Sequence, residues 1–177
     1  MDTYLIDTNV MLAASSVHEL SNVAVRAEPK EIELREQVAE WLFEFDESDS
    51  QLLLDEEGLV RDEYERNLPF NYPDQEYGLQ VLQNKLDRGL VEYAPIETLE
   101  ANGEHIAILE PELEKLVFDR EDRKWVACAR SSLDIFEHSP PIVYGAETDW
   151  YLTENQLQQF GIKFIRLLPE IWYQAHS

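Results

Sequence analysis

Basic residues are scarce in this chain. Fourteen Lys and Arg stand against thirty-seven Asp and Glu in 177 residues, a formal net charge of −23. A surface of that sign repels phosphate polymers within a Debye length, roughly 10 Å at 0.1 M salt, and favours solubility. It excludes a protein that coats nucleic acid by charge alone. It does not exclude an enzyme that uses bound divalent ions, because such ions invert the local field. Cysteine is scarcer still. Cys128 stands alone between two alanines, which excludes an intrachain disulfide framework and reads as a packed thiol. No apolar run reaches membrane-spanning length, and Met1-Asp2-Thr3 lacks the basic start of a signal peptide. The expectation is a soluble protein of a reducing compartment, the cytoplasm, with no membrane partner. His18, His105, His138 and His176 show no His-x-His or His-x3-His spacing, which argues against a zinc site. Gly-x-Ser-x-Gly, P-loop and Gly-x-Gly-x-x-Gly signatures are absent as well.

What is present is a globular chain, 44% hydrophobic and long enough for one domain over residues 1–177 with a sizeable core. Tyr4-Leu5-Ile6-Asp7-Thr8-Asn9-Val10 reads as a short buried strand that ends on an acid and runs into a helix, with Thr8 or Asn9 as its N-cap. Asp7 either caps that helix or stands at the carboxyl end of a strand where α/β sheets bind ligands. Residues 13–30 are mixed, a loop with some helix. Leu34, Val38, Trp41, Leu42 and Phe45 recur with helical spacing. Gln51 to Leu54 is a strand, and Asp55 caps a helix that reaches Leu68 and stops at Pro69. Pro73-Asp74 opens another helix, ended by Gly89. Residues 90–94 form a strand and 95–110 resist assignment. Pro111 starts a short helix and 121–132 a longer one. Strands over 141–144 and 162–167 flank a helix over 153–160, and Pro169 starts a terminal helix. Strands alternating with helices predict a three-layer α/β/α fold around a mostly parallel sheet.

Beyond Asp7, three acidic positions stand out by context. Glu63 lies one turn after Leu59 and Val60 on the helix that follows the second strand, near its buried edge. Asp122 opens the helix Asp122-Arg123-Lys124-Trp125-Val126-Ala127-Cys128-Ala129, with Asp119 three residues earlier, where a carboxylate caps or points into a cleft. Glu147 and Asp149 follow the Ile142-Val143-Tyr144 strand. In that order and context the chain resembles the PIN-domain family. The opening strand ends in Asp-Thr-Asn at 7–9. Glu63 matches the family's helix glutamate, and Asp122 with Ala127 and Ala129 matches its third acid. Glu147 and Asp149-Trp150 match its fourth segment. Glu147 departs from the family's usual Asp or Asn by one methylene, so Asp149 competes with it for that role. Two other folds that present an early Asp fit less well. A haloacid-dehalogenase-type phosphatase needs a second acid at the place of Asn9, and a receiver-type domain needs a paired acid before Asp7 and a late Lys.

The resemblance implies a three-layer PIN-like domain and a divalent-metal-dependent ribonuclease using Mg²⁺ or Mn²⁺. It implies either a toxin of a toxin–antitoxin pair or a stand-alone RNA-processing nuclease. The chemistry needs such a cluster because an anionic phosphate tolerates neighbouring carboxylates only with cations between them, and hard cations prefer oxygen ligands. One metal lowers the pKa of water and a second stabilises the leaving oxygen. Asp7 and Asp122 are the expected direct ligands, Glu63 with Glu147 or Asp149 the holders of metal waters, and Thr8, Asn9 and Thr148 the groups that orient ligands or phosphate. Arg120, Arg123, Lys124 and Arg130 cluster around Asp122, while Arg61 and Arg66 flank Glu63. They serve either phosphate binding, with Arg123 and Lys124 foremost, or neutralisation of acids such as Glu65, Asp119 and Glu121 along the helices. Expected partners are RNA, a basic antitoxin-like protein and further copies of the chain. The competing expectation is a catalytically weak PIN-like module that acts through protein partners.

Overall fold

Leu5, Ile6, Leu52, Leu53, Ile142 and Val143 are fully buried in short runs with no polar face, as strands covered on both sides must be. They form the centre of a computed structural model that describes residues 2–69 and 75–177. The helix start expected at Pro73-Asp74 lies outside the described residues. In chain order the elements are β1 (Thr3–Ile6), α1 (Thr8–Ser16), α2 (Ile32–Glu47), β2 (Gln51–Asp55), α3 (Leu59–Asn67), α4 (Tyr77–Asp87), β3 (Val91–Ala94), β4 (Thr98–Ala101), β5 (Glu104–Ala107), α5 (Pro111–Leu116), α6 (Arg123–Phe136), β6 (Ile142–Tyr144), α7 (Thr148–Gln158), β7 (Phe164–Arg166) and α8 (Glu170–His176). A 3-10 turn over Arg120–Asp122 leads into α6.

The central sheet is five-stranded and entirely parallel, in the order β3-β2-β1-β6-β7. Helices flank it in a three-layer α/β/α arrangement. Parallel neighbours need crossover connections, and here these are helical. Helices α1, α2 and α4 pack on one another, while α6 lies against β2 and β3. The apolar spacing of α2 does what it predicts. Val38, Leu42 and Phe45 are buried, each contributing roughly 1.5–3 kcal/mol of apolar burial. Trp41 stacks on Phe45 with centroids 5.7 Å apart, and Tyr4 of β1 meets both rings edge-on. Gly78 of α4 lets that helix approach α1 closely, since a Cβ there would lie 2.9 Å from Met11 Cβ.

Several elements differ from the sequence expectation. Residues 95–110 hold an antiparallel hairpin, β4–β5, turned at Asn102-Gly103. Both turn residues have positive φ, 53° and 80°, the combination that a two-residue type I′ turn requires. Helix α7 begins at Thr148, not Thr153, because Glu147 accepts the Asp149 N–H as N-cap. The cap of α1 is Asp7, one of the two roles read for it from sequence, whose Oδ1 accepts the Asn9 N–H at 3.3 Å, and not Thr8 or Asn9. Asp55 does act on α3, accepting Leu59 N–H at 2.9 Å and Val60 N–H at 2.8 Å. Among the described residues no helix is long and apolar enough to cross a membrane.

Candidate active site

The strand order decides where the acids go. The chain runs outward from β1 through β2 to β3, returns to β6 on the other side of β1, and continues to β7. The reversal leaves a crevice beyond the carboxyl ends of β1 and β6, the usual ligand position in open parallel sheets. Two bonds close its floor. Asp7 N–H donates to Val143 O at 2.9 Å, and Gly145 N–H donates to Asn9 Oδ1 at 3.2 Å.

Three acids approach this crevice from helix starts. Asp7 is the N-cap of α1, Asp122 of α6 and Glu147 of α7. A helix N-terminus favours negative charge, but here burial and crowding dominate. Burial, followed by the charges of Asp7, Glu147, Asp119 and Glu63, pushes the Asp122 carboxyl up to about 8. Burial and the charge of Asp7 raise Glu147 to about 7, against the Asp149 N–H that lowers it. Burial raises Asp7 to about 6, opposed by the Trp150 indole and reinforced by Glu63. Negative charge within the cluster thus adds to burial at all three. Asp122 is shifted furthest; its side chain makes no capping hydrogen bond, and burial and the charges of Asp7, Glu147, Asp119 and Glu63 all act in the same direction.

Glu63 of α3 reaches the same cluster but is already engaged. Its Oε1 lies 2.6 Å from Lys124 Nζ, and its Oε2 accepts the Thr8 hydroxyl. Lys124 is 5% exposed and also donates to Glu121 O at 2.6 Å, with Glu121 Oε2 at 3.4 Å. Asn9 places its Oδ1 on Gly145, and its buried Nδ2 finds no partner among the described residues. Thr148 is half-buried at the first position of α7, and Asp149 is exposed beside it. A cavity of about 240 Å³ opens here, lined by Asp119, Asp122, Asp149 and Trp150, with Leu116 and Phe118 as apolar walls.

The basic residues divide. Arg61 pairs with Glu65 at 2.9 Å, Arg130 with Glu110 at 2.8 Å, and Arg123 lies 4.0 Å from Glu114 while donating to Val117 O. Of these, only Arg61–Glu65 is the pairing along a helix expected from sequence; Arg123 and Arg130 reach acids of α5 and its N-cap instead. Arg66 and Arg120 instead line a cavity of about 290 Å³ with His105 and Lys124.

Two further residues belong to the site: Trp150, named from sequence only within the Asp149-Trp150 match, and Asp119, named only as a cap or cleft acid. Trp150 is 2% exposed and donates its indole N–H to Asp7 Oδ2. Its place three residues after Glu147 on a helix is the signal that could have found it. Asp119 caps the 3-10 turn through Glu121 N–H at 3.0 Å and acts on both Asp122 and Glu147.

Asp7, Asp122 and Glu147 fit a hard divalent cation by donor type, being carboxylates. Among the described residues no three His, Cys, Asp or Glu side chains are already drawn together to hold one. Comparison with protein-family models, with curated proteins and with solved structures returns no match for the chain.

Proposed function

We propose that this protein is a PIN-like, divalent-metal-dependent ribonuclease that hydrolyses RNA phosphodiester bonds at the crevice beyond β1 and β6. The observation that carries the reading is that Asp7, Asp122 and Glu147, each at the N-terminus of a different helix, meet at the sheet's strand-order reversal, where the charge of Asp7 acts on the other two. Asp7 is buried and Asp122 and Glu147 are half-buried; carboxyls crowded in this way oppose folding, and a chain that keeps them together has a use for the charge. Mg²⁺ or Mn²⁺ bound there would neutralise the cluster and the substrate phosphate and make water a better nucleophile. Asp7, Asp122 and Glu147 supply the oxygen donors, with Asp149 at the outer edge. Trp150 and the Asn9 N–H hold the Asp7 carboxylate in one orientation. Asn9 Nδ2 is a buried donor left over for substrate. The reading places the protein in the cytoplasm, as a toxin held by a basic antitoxin or as a stand-alone RNA-processing enzyme.

The test is cleavage of single-stranded RNA by purified protein in Mn²⁺, with Asp7→Asn and Asp122→Asn as controls. Loss of cleavage in both variants, with the fold intact by circular dichroism, supports the reading. Equal cleavage by wild type and variants assigns the activity to a contaminant or to another site.

Two observations favour a second reading, a catalytically weak module acting through protein partners. Glu63 is tied to Lys124 and Thr8, and the −23 net charge opposes RNA binding. Absence of both Mn²⁺ binding and cleavage would leave that reading standing.

A further inference from the structure

The ammonium group of Lys124 is enclosed. An ammonium has three N–H donors, and three acceptors surround this one: Glu63 Oε1 at 2.6 Å, Glu121 O at 2.6 Å and Glu121 Oε2 at 3.4 Å. With 5% of the residue exposed, no donor remains for an incoming phosphate. Glu63 is equally occupied, with one oxygen on Lys124 and the other on the Thr8 hydroxyl. The alternation of charge is specific. Asp7, Asp122 and Glu147 form no ion pair among the described residues, although the charge of Lys124 lowers the Asp7 pKa, whereas Glu63, at the edge of the same cluster, is paired directly with that ammonium.

We propose that Lys124 is a resident cation of the acidic site, filling beside Glu63 the place that a second metal ion would take. Glu63 then holds Lys124, not metal, and the site accepts one divalent ion, at Asp7, Asp122 and Glu147. The ammonium also sets a limit on affinity, because its charge repels the incoming ion. Lys124 is a positioning residue: it acts through Glu63 and through the field it lays across the cluster. The inference rests on the metal-site reading above, and the experiment separates the two.

The experiment is calorimetric titration of Mn²⁺ into the full-length protein as wild type, Lys124→Met, Glu63→Gln/Lys124→Met and Asp122→Asn. Wild type should bind one ion per chain. Removing a unit charge a few Å away at an effective dielectric near 20 should tighten Mn²⁺ at least about tenfold in Lys124→Met, or add a second ion on the freed Glu63. The double variant removes both charges of a buried pair together, which is nearly neutral for folding. It should bind one ion within about threefold of wild type, since a neutral pair has replaced a neutral pair and the lost difference is under one pK unit's worth of interaction. Asp122→Asn should lose binding. Loss of about tenfold or more in the double variant would make Glu63 a ligand and overturn the proposal with the metal-site reading intact, and so would a Lys124→Met protein with unchanged affinity and stoichiometry. Should Lys124→Met not fold, the double variant alone decides. Mn²⁺ bound by Lys124→Met but not by wild type would support the resident cation while removing the metal-dependent reading for the natural chain. No binding by any of the four overturns both.

Discussion

The indole N–H of Trp150 donates to Asp7 Oδ2, joining the first turn of α7 to the end of β1 across the sheet's strand-order reversal. Both residues are buried. The bond holds the carboxylate while Asn9 N–H takes its other oxygen, and it opposes the rise in the Asp7 pKa that burial produces. Trp150→Phe keeps much of the packing against Phe164 and removes the donor. Leaving a buried carboxylate short of a donor costs on the order of 1–3 kcal/mol. The Asp7 pKa should rise further, visible in the carboxyl ¹³C chemical shift. A variant with unchanged stability and unchanged Asp7 titration would show that the bond does not form in solution.

The metal-free protein should be more stable in mild acid than at slightly alkaline pH as far as the cluster is concerned. For Asp122 the folded pKa of about 8 lies above the ordinary value of 3.8, so the folded state binds more protons between those values. Its favourable contribution is complete below the unfolded pKa and is lost as pH rises through about 8. Glu147, raised to about 7, and Asp7, raised to about 6, act in the same direction over lower windows. The melting temperature in chelator should therefore fall from pH 5 to pH 8, and less steeply in Asp122→Asn. The acidic surface also titrates, and the variant shares that surface, so identical slopes would remove the cluster as the cause.

Mn²⁺ at constant ionic strength should raise the melting temperature. An ion bound only by the folded state contributes roughly 1.4 kcal/mol at ten times its dissociation constant and about 2.7 kcal/mol at a hundred times. Ca²⁺, with its larger shell, should do less. Because binding displaces protons from raised carboxyls, the shift should grow from pH 6 to pH 8. Equal shifts in wild type and Asp122→Asn would mean general screening of the −23 surface.

Asp55 tests the scaffold apart from the acids of the crevice. It is 1% exposed and accepts the first two N–H groups of α3, the helix that carries Glu63. Asp55→Ala should cost about 1–2 kcal/mol, as loss of a helix cap does, measured by urea denaturation. A cost near zero would mean that water replaces the carboxylate at both amides.

The elements whose local chemistry is decisive were legible from the residues alone. Apolar triplets at Leu52 to Leu54 and Ile142 to Tyr144 admit little but buried strands, and the spacing of Val38, Leu42 and Phe45 admits only a helix face. Alternating strands and helices were enough for a parallel three-layer fold. Within the stretch that resisted assignment, Asn102-Gly103 still carries a turn signal, since that pair favours the positive φ at both positions that turns β4 into β5. The start of α7 was not legible, because Glu147 is an uncommon cap residue and its role depends on the bend after β6. The acids could be named from sequence, but which of them stand free and which are paired could not. Glu63 and Lys124 lie far apart in the chain, on different helices, and only the approach of α3 to α6 places Oε1 2.6 Å from Nζ. Trp150 and Asp7 meet because the strand order sets β6 beside β1. Periodicity reports how a segment meets its own surroundings. Pairing between distant charges depends on the order of strands in the sheet, and only the tertiary structure decides that.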